Sequence, residues 1–174
     1  MRRRRLATRS VMVLAAWLLL AGLADGVTPL AAAARTGSAD AAASFSTSGA
    51  LRGVAATSAT NAWAVGFTGS KTLLVHWNGR TWAQVPSPGG ALYGVAATSA
   101  GNAWAVGSTA NSKGLIERWN GRAWTQVPSA APAGSVFYGV AAVSARSVWV
   151  VGATGSGDGP TKTLVLRWNG ATWG

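Results

Sequence analysis

The chain has 174 residues, room for about one compact domain. It contains no cysteine, which excludes a disulfide-stapled domain and a cysteine-ligated metal site. The net charge of +11 by itself suggests nucleic-acid binding, but five of the fifteen basic residues lie within the first nine positions, so we expect no nucleic-acid partner.

The first 34 residues have the order of a secretory signal. An arginine-rich start, 2–9, precedes an apolar stretch, 11–24, and a segment of small residues that ends at Ala34. The apolar stretch is shorter than the roughly 20 residues that span a bilayer. We expect a secreted, extracellular protein with residues 1–34 removed, a remaining charge of +7 and no stable membrane span. Cleavage after residue 24 and export by the twin-arginine route are the alternatives.

Residues 35–50 are small and polar and predict a flexible linker. From residue 51 onward the chain repeats itself. Three related segments, 51–66, 92–107 and 137–152, read LRGVAATSATNAWAVG, LYGVAATSAGNAWAVG and FYGVAAVSARSVWVVG. Similar segments that recur at such regular intervals along the chain indicate one structural unit stacked on copies of itself. The sequence therefore predicts three repeats, 51–91, 92–136 and 137–174, the last of them truncated.

Each repeat contains four short runs rich in β-branched and aromatic residues, which in the first repeat are 53–58, 62–66, 73–77 and 80–85. Four antiparallel strands in 40–50 residues are typical of a β-propeller blade. We expect an all-β fold of the β-propeller type with tandem four-stranded blades in three copies. Because propellers close with about four to eight blades, this one is expected to be open or incomplete and to self-associate through its open blade edges. Alternatively, a strand from 41–50, with Phe45 in the place of Val85, completes the last blade.

An Asn-Gly pair follows the third run of every repeat, and this is the strongest short hairpin signal. We expect a two-residue type I′ turn that pairs Trp77 with Arg80 and Val75 with Trp82. The turn residues are Asn78, Gly79, Asn120, Gly121, Asn169 and Gly170.

Nine tryptophans occupy three equivalent positions in each repeat. They are Trp63, Trp104 and Trp149; Trp77, Trp119 and Trp168; and Trp82, Trp124 and Trp173. Large aromatic cross-strand neighbours suit blade-to-blade packing, and we interpret them as structural blade residues. The alternative is a set of sugar-stacking platforms.

The pattern GVAATSAxNAWAVG followed by WNGxxWxxVP resembles a repeat of exported proteins from actinomycetes and other soil bacteria, over residues 51–174. More distantly it is similar to Asp-box (sialidase-type) propellers and to photosystem II assembly/stability factor-like propellers, whose blades end in Gly-x-Thr-Trp, as 79–82 and 170–173 do here. The Asp of the Asp-box is replaced by Trp77, Trp119 and Trp168. The resemblance implies the propeller fold and not sialidase chemistry.

The sequence shows no catalytic set. After residue 34 it contains one histidine, His76, and three acids, Asp40, Glu117 and Asp158. No motif pairs these acids for glycoside hydrolysis, and no His/Asp/Glu cluster has the spacing of a metal site. His76 takes the position of Arg118 and Arg167 in the other repeats, which indicates a solvated cross-strand residue. We expect a protein that is not an enzyme and has no cofactor and no metal.

The three lysines of the chain, Lys71, Lys113 and Lys162, each lie two residues before the first leucine of a third strand. In a propeller, the loop into that strand and the loop between blades emerge on the same face, and here both loops vary in length between repeats. Loops on a rigid scaffold commonly form binding sites. The lysines therefore mark a candidate binding face, although a lysine at a strand start also serves solubility.

Together these features predict a non-catalytic extracellular binding or interaction module on a β-propeller scaffold. Its ligand is unknown, with an anionic glycan or another protein as candidates. The first alternative is a lectin-like glycan-binding protein that uses its tryptophans. The second alternative is a fragment of a larger propeller protein, and a hydrolase or lyase is disfavoured.

Overall fold

The computed structural model describes residues 44–155 and 161–174. The predicted signal, 1–34, and most of the predicted linker lie outside the described residues. The described part consists of β-strands, turns and loops, and none of its segments is a helix able to cross a membrane.

In these ranges, eleven strands form three antiparallel sheets in chain order. Sheet 1 contains β1 (Ala50–Ser58), β2 (Asn61–Thr68), β3 (Lys71–Trp77) and β4 (Trp82–Gln84). Sheet 2 contains β5 (Ala91–Ser99), β6 (Asn102–Ser108), β7 (Gly114–Trp119) and β8 (Trp124–Gln126). Sheet 3 contains β9 (Ser135–Ser144), β10 (Ser147–Thr154) and β11 (Lys162–Trp168). Each sheet is a simple meander, so every strand pairs with its neighbour in sequence.

Sheet 3 has only the beginning of a fourth strand. Trp168 and Trp173 form an isolated antiparallel bridge, and Arg167 and Gly174 exchange two backbone hydrogen bonds of 2.7 and 3.1 Å. Of the alternative source for this strand, 41–50, the described residues 44–50 do not supply it, and 41–43 lie outside the described residues. Phe45 instead packs on sheet 1 against Ala64, Leu73, Val75 and Trp82, because that sheet exposes an apolar face beside it.

Two cores hold the three sheets together, one on each side of sheet 2. Trp63, Val65 and Leu74 of sheet 1 pack against one face of sheet 2. Trp104, Val106 and Ile116 on the other face of sheet 2 pack against sheet 3. The sheets thus stack in the manner of propeller blades and do not close into a ring, which confirms the predicted open all-β propeller.

The first strands of the three sheets lie side by side, and glycine allows them to approach closely. A Cβ on Gly53 would lie 3.2 Å from the Cα of Gly94, and a Cβ on Gly94 would lie 3.0 Å from the carbonyl oxygen of Tyr138. Real Cβ atoms rarely make such short contacts. The glycine at the start of the first two GVAA segments is therefore a requirement of sheet stacking.

The hairpin after the third strand differs from the prediction. Trp77 pairs with Trp82 and Val75 pairs with Gln84, so the loop has four residues, 78–81. The predicted two-residue turn, with Trp77 opposite Arg80 and Val75 opposite Trp82, is wrong. The Oδ1 of Asn78 accepts hydrogen bonds of 2.9 Å from the backbone N–H groups of both Arg80 and Thr81. This side-chain cap stabilises the longer loop, and only Gly79 takes a positive φ, 93°.

Candidate binding face

The three lysines start, or directly precede, the third strand of their sheets. Lys71 is the first residue of β3, Lys162 is the first residue of β11, and Lys113 comes immediately before β7. All three side chains are exposed. In each case the preceding strand ends in a turn or loop at the same end of its sheet, which we call the lysine end.

Loop lengths differ between the two ends of the sheets. At the lysine end, the loops into the third strands are 69–70, 109–113 and 155–161, and the linkers between sheets are 85–90 and 127–134. At the opposite end, the turns 59–60, 100–101 and 145–146 all have the same length. Variation is thus confined to the lysine end, as expected of a face that a scaffold presents to ligands.

Two equivalent clefts open at the lysine end. Lys71 and Thr72 line a cleft of about 340 Å³ together with Gln84 and the linker 85–90. Lys113 and Gly114 line a second cleft of about 410 Å³ together with Gln126 and residues 127–129 and 131–133 of the linker. Each cleft therefore combines one ammonium group with the backbone and hydroxyl groups of a linker. Near Lys162, residues 156–160, which include Asp158, lie outside the described part of the chain.

The linker of the first cleft is anchored to both sheets that it joins. The hydroxyl of Thr72 donates a hydrogen bond of 2.7 Å to the carbonyl oxygen of Gly90. The hydroxyl of Ser87 donates a hydrogen bond of 2.6 Å to a carboxylate oxygen of Glu117. At the start of the linker, the N–H of Val85 donates to the carbonyl oxygen of Leu74 at 2.9 Å. These contacts fix the position of the wall of the cleft.

Glu117 is fully buried between sheets 1 and 2. Burial raises the pKa of this carboxyl group, and hydrogen bonds from the Ser87 side chain and the Gly89 backbone oppose the increase. Because these partners belong to the linker, Glu117 acts as its anchor. No sequence motif indicates this role. The only signal is that the second repeat has an acid at the position where the other repeats have the apolar Val75 and Leu166.

No acid pair for catalysis is present in the described residues. Glu117 is engaged by the linker, and Asp40 and Asp158 lie outside the described ranges. Within residues 44–155 and 161–174 no group of three or more His, Asp or Glu side chains could hold a metal ion.

His76 does not behave as the predicted solvated residue. Its ring stacks on Trp63 with a centroid distance of 4.1 Å, and its Nε2 lies 2.8 Å from the Oδ1 of Asn61. Burial lowers the pKa of His76. Arg118 and Arg167 stack in the same way, 5.1 and 5.3 Å from the ring centroids of the tryptophans beside them, so this position supports a tryptophan face in all three sheets.

Six of the nine repeat tryptophans form clusters that cross from one sheet to the next. Trp63 of sheet 1 contacts Trp119 and Trp124 of sheet 2, with centroid distances of 4.9 and 5.1 Å. Trp104 of sheet 2 contacts Trp168 and Trp173 of sheet 3 at 5.4 and 5.5 Å. The remaining three are Trp77, Trp82 and Trp149. Trp77 and Trp82 are half-buried on sheet 1 and lie 5.8 Å apart, and Trp149 is 44% exposed on sheet 3.

The Asn-Gly loops lie at the end of the sheets opposite to the lysines. Asn120 and Asn169 repeat the cap of Asn78, since each accepts two hydrogen bonds from backbone N–H groups of its own loop, at 2.9–3.0 Å. Gly121 and Gly170 have positive φ values of 93° and 103°. These six residues shape the loops and take no part in the clefts.

No protein-family model and no curated protein match the chain. Among solved structures it is similar to "YCF48 bound to D1 peptide", with a TM-score of 0.53 and 17% sequence identity. The alignment covers 74% of this chain and 40% of that one, so the present chain spans less than half the length of its structural neighbour. At this identity the similarity shows the fold alone. With the three stacked antiparallel sheets, it places the chain in the β-propeller fold.

Proposed function

We propose that this chain is a non-catalytic extracellular binding module whose lysine end binds an anionic ligand, such as an acidic glycan or a phosphate-bearing wall polymer. The observation that carries the proposal is that successive sheets place a lysine at the same position, at the start of the third strand. Lys71 and Lys113 line equivalent clefts with the linkers beside them, and Lys162 begins β11 at the corresponding position.

The chemistry of the clefts suits a polymer with repeated negative charge. Each cleft offers one exposed ammonium group together with polar groups of a linker. A single exposed ion pair contributes about 0–1 kcal/mol, so one lysine gives little affinity. Several lysines at one end of a rigid scaffold act together on a ligand that spans them, and this multivalency raises the overall affinity.

The lectin-like alternative receives less support from the positions of the tryptophans. A sugar-stacking platform needs an exposed ring face. Trp63 and Trp104 are buried between sheets, and the indole N–H groups of Trp77 and Trp119 donate to the backbone carbonyls of Ala59 and Ala100. We therefore favour recognition by charge over recognition by stacking.

Export and family membership are part of the same proposal. The order of charged, apolar and small residues in 1–34 supports secretion, and the repeated GVAATSAxNAWAVG segment supports a place among the exported bacterial repeat proteins that it resembles. N-terminal sequencing of secreted material should begin near residue 35 or 25. An intact Met1 would contradict removal of the signal.

The binding proposal is tested with a triple variant, Lys71→Gln, Lys113→Gln and Lys162→Gln. We expect binding to an anionic polysaccharide to fall by at least about tenfold and wild-type binding to weaken as salt rises, because charges at the surface are screened within about 8 Å at physiological ionic strength. The melting temperature should change little, because exposed charges contribute little to folding.

A matched control removes the same charge from the opposite end. The exposed Arg80, Arg122 and Arg146 lie in its loops and turns, and their replacement by glutamine should leave binding near the wild-type level. Equal losses of affinity in the two triple variants would show that net charge alone controls binding, and would reject the lysine end as the site. Binding to a neutral polysaccharide that survives both triple variants would favour the lectin-like alternative.

A further inference from the structure

Two sheet faces of the described structure are uncovered, and each has a covered counterpart elsewhere in the molecule. The first, which we call the Trp149 face, consists of Trp149, Val151 and Val165 on sheet 3, which are 44%, 48% and 57% exposed. The equivalent residues of sheet 1 (Trp63, Val65 and Leu74) and of sheet 2 (Trp104, Val106 and Ile116) are at most 1% exposed.

The second uncovered face, the Trp82 face, consists of Leu51, Val54 and Trp82 on sheet 1. Leu51 and Val54 are 47% and 70% exposed, whereas the equivalent Leu92 and Val95 of sheet 2 are 0% and 9% exposed. Together with Phe45, Ala64 and Val75, these residues line an open apolar hollow of about 430 Å³. An uncovered apolar surface of this kind marks a place where another surface binds.

The two uncovered faces match the two sides of the interfaces between sheets 1 and 2 and between sheets 2 and 3. In each internal interface, the tryptophan of the second strand of one sheet packs against two tryptophans of the next sheet. By this rule Trp149 lacks the two tryptophans of a following sheet. Trp77 and Trp82, which are paired with each other, lack the tryptophan of a preceding sheet.

The first strands of the sheets show the same complementarity. Tyr93 of β5 contacts Tyr138 of β9 with ring centroids 5.9 Å apart. Tyr138 is nevertheless 56% exposed, and the equivalent position in sheet 1 is Arg52, also exposed. An arginine beside a tyrosine ring makes a favourable cation–π contact. A Cβ on Gly139 would meet only Val151 of the same sheet. The equivalent Gly53 and Gly94 each face the first strand of the following sheet, so at Gly139 the position of such a strand is unoccupied.

We propose that the Trp149 face of one copy of this chain docks on the Trp82 face of a second copy, and that the reciprocal contact closes a ring of six sheets. The partner is a second copy of this chain. Each uncovered face lacks the residues that cover its counterpart in the internal interfaces, and the other uncovered face of the same chain carries the equivalent residues. The described residues of two copies contribute six sheets, within the four to eight that propellers contain, whereas those of three copies contribute nine. A head-to-tail contact that closes after two copies leaves no further face exposed.

In this assembly Trp149 is buried against Trp77 and Trp82 of the second copy, and Tyr138 lies beside its Arg52. The lysine ends of both copies point to the same side of the ring, since the internal interfaces keep all lysine ends together. Docking does not depend on the proposed anion binding. The interface is apolar, so salt should weaken anion binding and leave the dimer intact.

The first test is the mass of the purified chain by light scattering after size-exclusion chromatography, for the wild type and two variants. Val151→Glu introduces a carboxylate into the Trp149 face, and we expect the dissociation constant to rise by about 100-fold, because burying an unpaired charge is strongly unfavourable. Val143→Glu is the control. Val143 is 78% exposed on the same sheet, and the equivalent Thr57 stays exposed although sheet 2 covers one face of its sheet.

A dimer of the wild type and of Val143→Glu, with a monomer for Val151→Glu, supports the proposal. A monomeric wild type, an open-ended series of larger assemblies, or equal behaviour of the two glutamate variants would overturn it. Circular dichroism of Val151→Glu should show the wild-type spectrum, because residue 151 is half exposed in a single copy.

The second test traps the contact covalently and does not rely on a destabilising change. The chain has no cysteine, so a disulfide forms only between introduced residues. In the double variant Arg52→Cys, Tyr138→Cys, the two cysteines of one copy are separated by sheet 2, and we expect a disulfide-linked dimer on a non-reducing gel. Each single variant is the control. If the double variant forms no more covalent dimer than the single variants do, the head-to-tail contact is wrong.

Discussion

At the scale of single residues, Glu117 is the most unusual side chain of the structure. It is fully buried where the other two sheets have Val75 and Leu166, and it holds the linker through Ser87. Burial disfavours the charged form of a carboxyl group, and the raised pKa expresses that cost. The second repeat therefore has a carboxyl group that fixes the linker where the other repeats have apolar packing. The hydrogen bond to Ser87 holds the wall of the cleft beside Lys71.

This residue makes folding stability depend on pH. A group whose pKa is raised by folding contributes its full stability below its ordinary pKa, and that contribution is lost as pH rises through the folded value. We expect Glu117→Gln, which retains an acceptor for Ser87, to gain stability relative to the wild type as the pH rises from about 4 to about 7. Thermal unfolding of both proteins across this range measures the difference.

His76 titrates in the opposite sense. Its pKa is lowered by burial, so its contribution is present above the ordinary value and is lost as pH falls through the folded value. His76 is present in both the wild type and Glu117→Gln, so its contribution cancels in the difference in stability between the two proteins. Parallel pH profiles for Glu117→Gln and the wild type would show that the buried carboxyl group does not control the pH dependence.

At the scale of strands, each sheet shares an irregularity between its first and second strands. The register shifts between Leu51 and Gly53 in sheet 1, and the same shift follows Leu92 in sheet 2. A bulge of this kind bends the strand that contains it and increases the local twist. Gly66 lies opposite the shift, where a Cβ would overlap the carbonyl oxygen of Ala50.

We expect Gly66→Ala to lower the free energy of unfolding by about 3 kcal/mol or more, because backbone atoms cannot move aside as a flexible side chain can. Urea unfolding measures this change. Gly101→Ala is the control, since the nearest atom to its Cβ is 4.0 Å away and its φ is not positive; this change should stay within about 0.5 kcal/mol of the wild type. Similar values for the two variants would refute the role of the bulge.

At the scale of the whole molecule, stability depends on contacts between neighbouring sheets. Each sheet packs only on the next one, as in other repeat proteins, so sheet 2 contributes to both cores and the outer sheets contribute to one each. Trp104 is the largest fully buried side chain between sheets 2 and 3.

Trp104→Ala should lower the free energy of unfolding by about 3–5 kcal/mol, the usual cost of removing a buried tryptophan. Its contacts with Trp168 and Trp173 are lost, so the attachment of sheet 3 weakens most. Urea unfolding followed by tryptophan fluorescence provides the measurement. The exposed Val143→Ala is the comparison, and a loss no larger than in that variant would contradict the packing scheme.

Repetition and short-range pattern determined much of this protein by themselves. The recurring segments predict three units, the β-branched runs predict their strands, and the fixed tryptophan spacing predicts packing between sheets. These features are local, since a strand and its tight turns depend on residues a few positions apart.

Tertiary structure decided the rest, because the deciding contacts join residues far apart in the chain. The Asn-Gly signal was correct for a hairpin, but the pairing of Trp77 with Trp82 and the cap by Asn78 lengthened the loop to four residues. The position of His76 could not reveal its stacking on Trp63. No periodicity could show that Glu117 would hold a linker 30 residues away, or which two tryptophans of the next sheet each tryptophan would meet. Those partners are chosen by how whole sheets stack, and stacking is set by the summed shape and burial of many side chains.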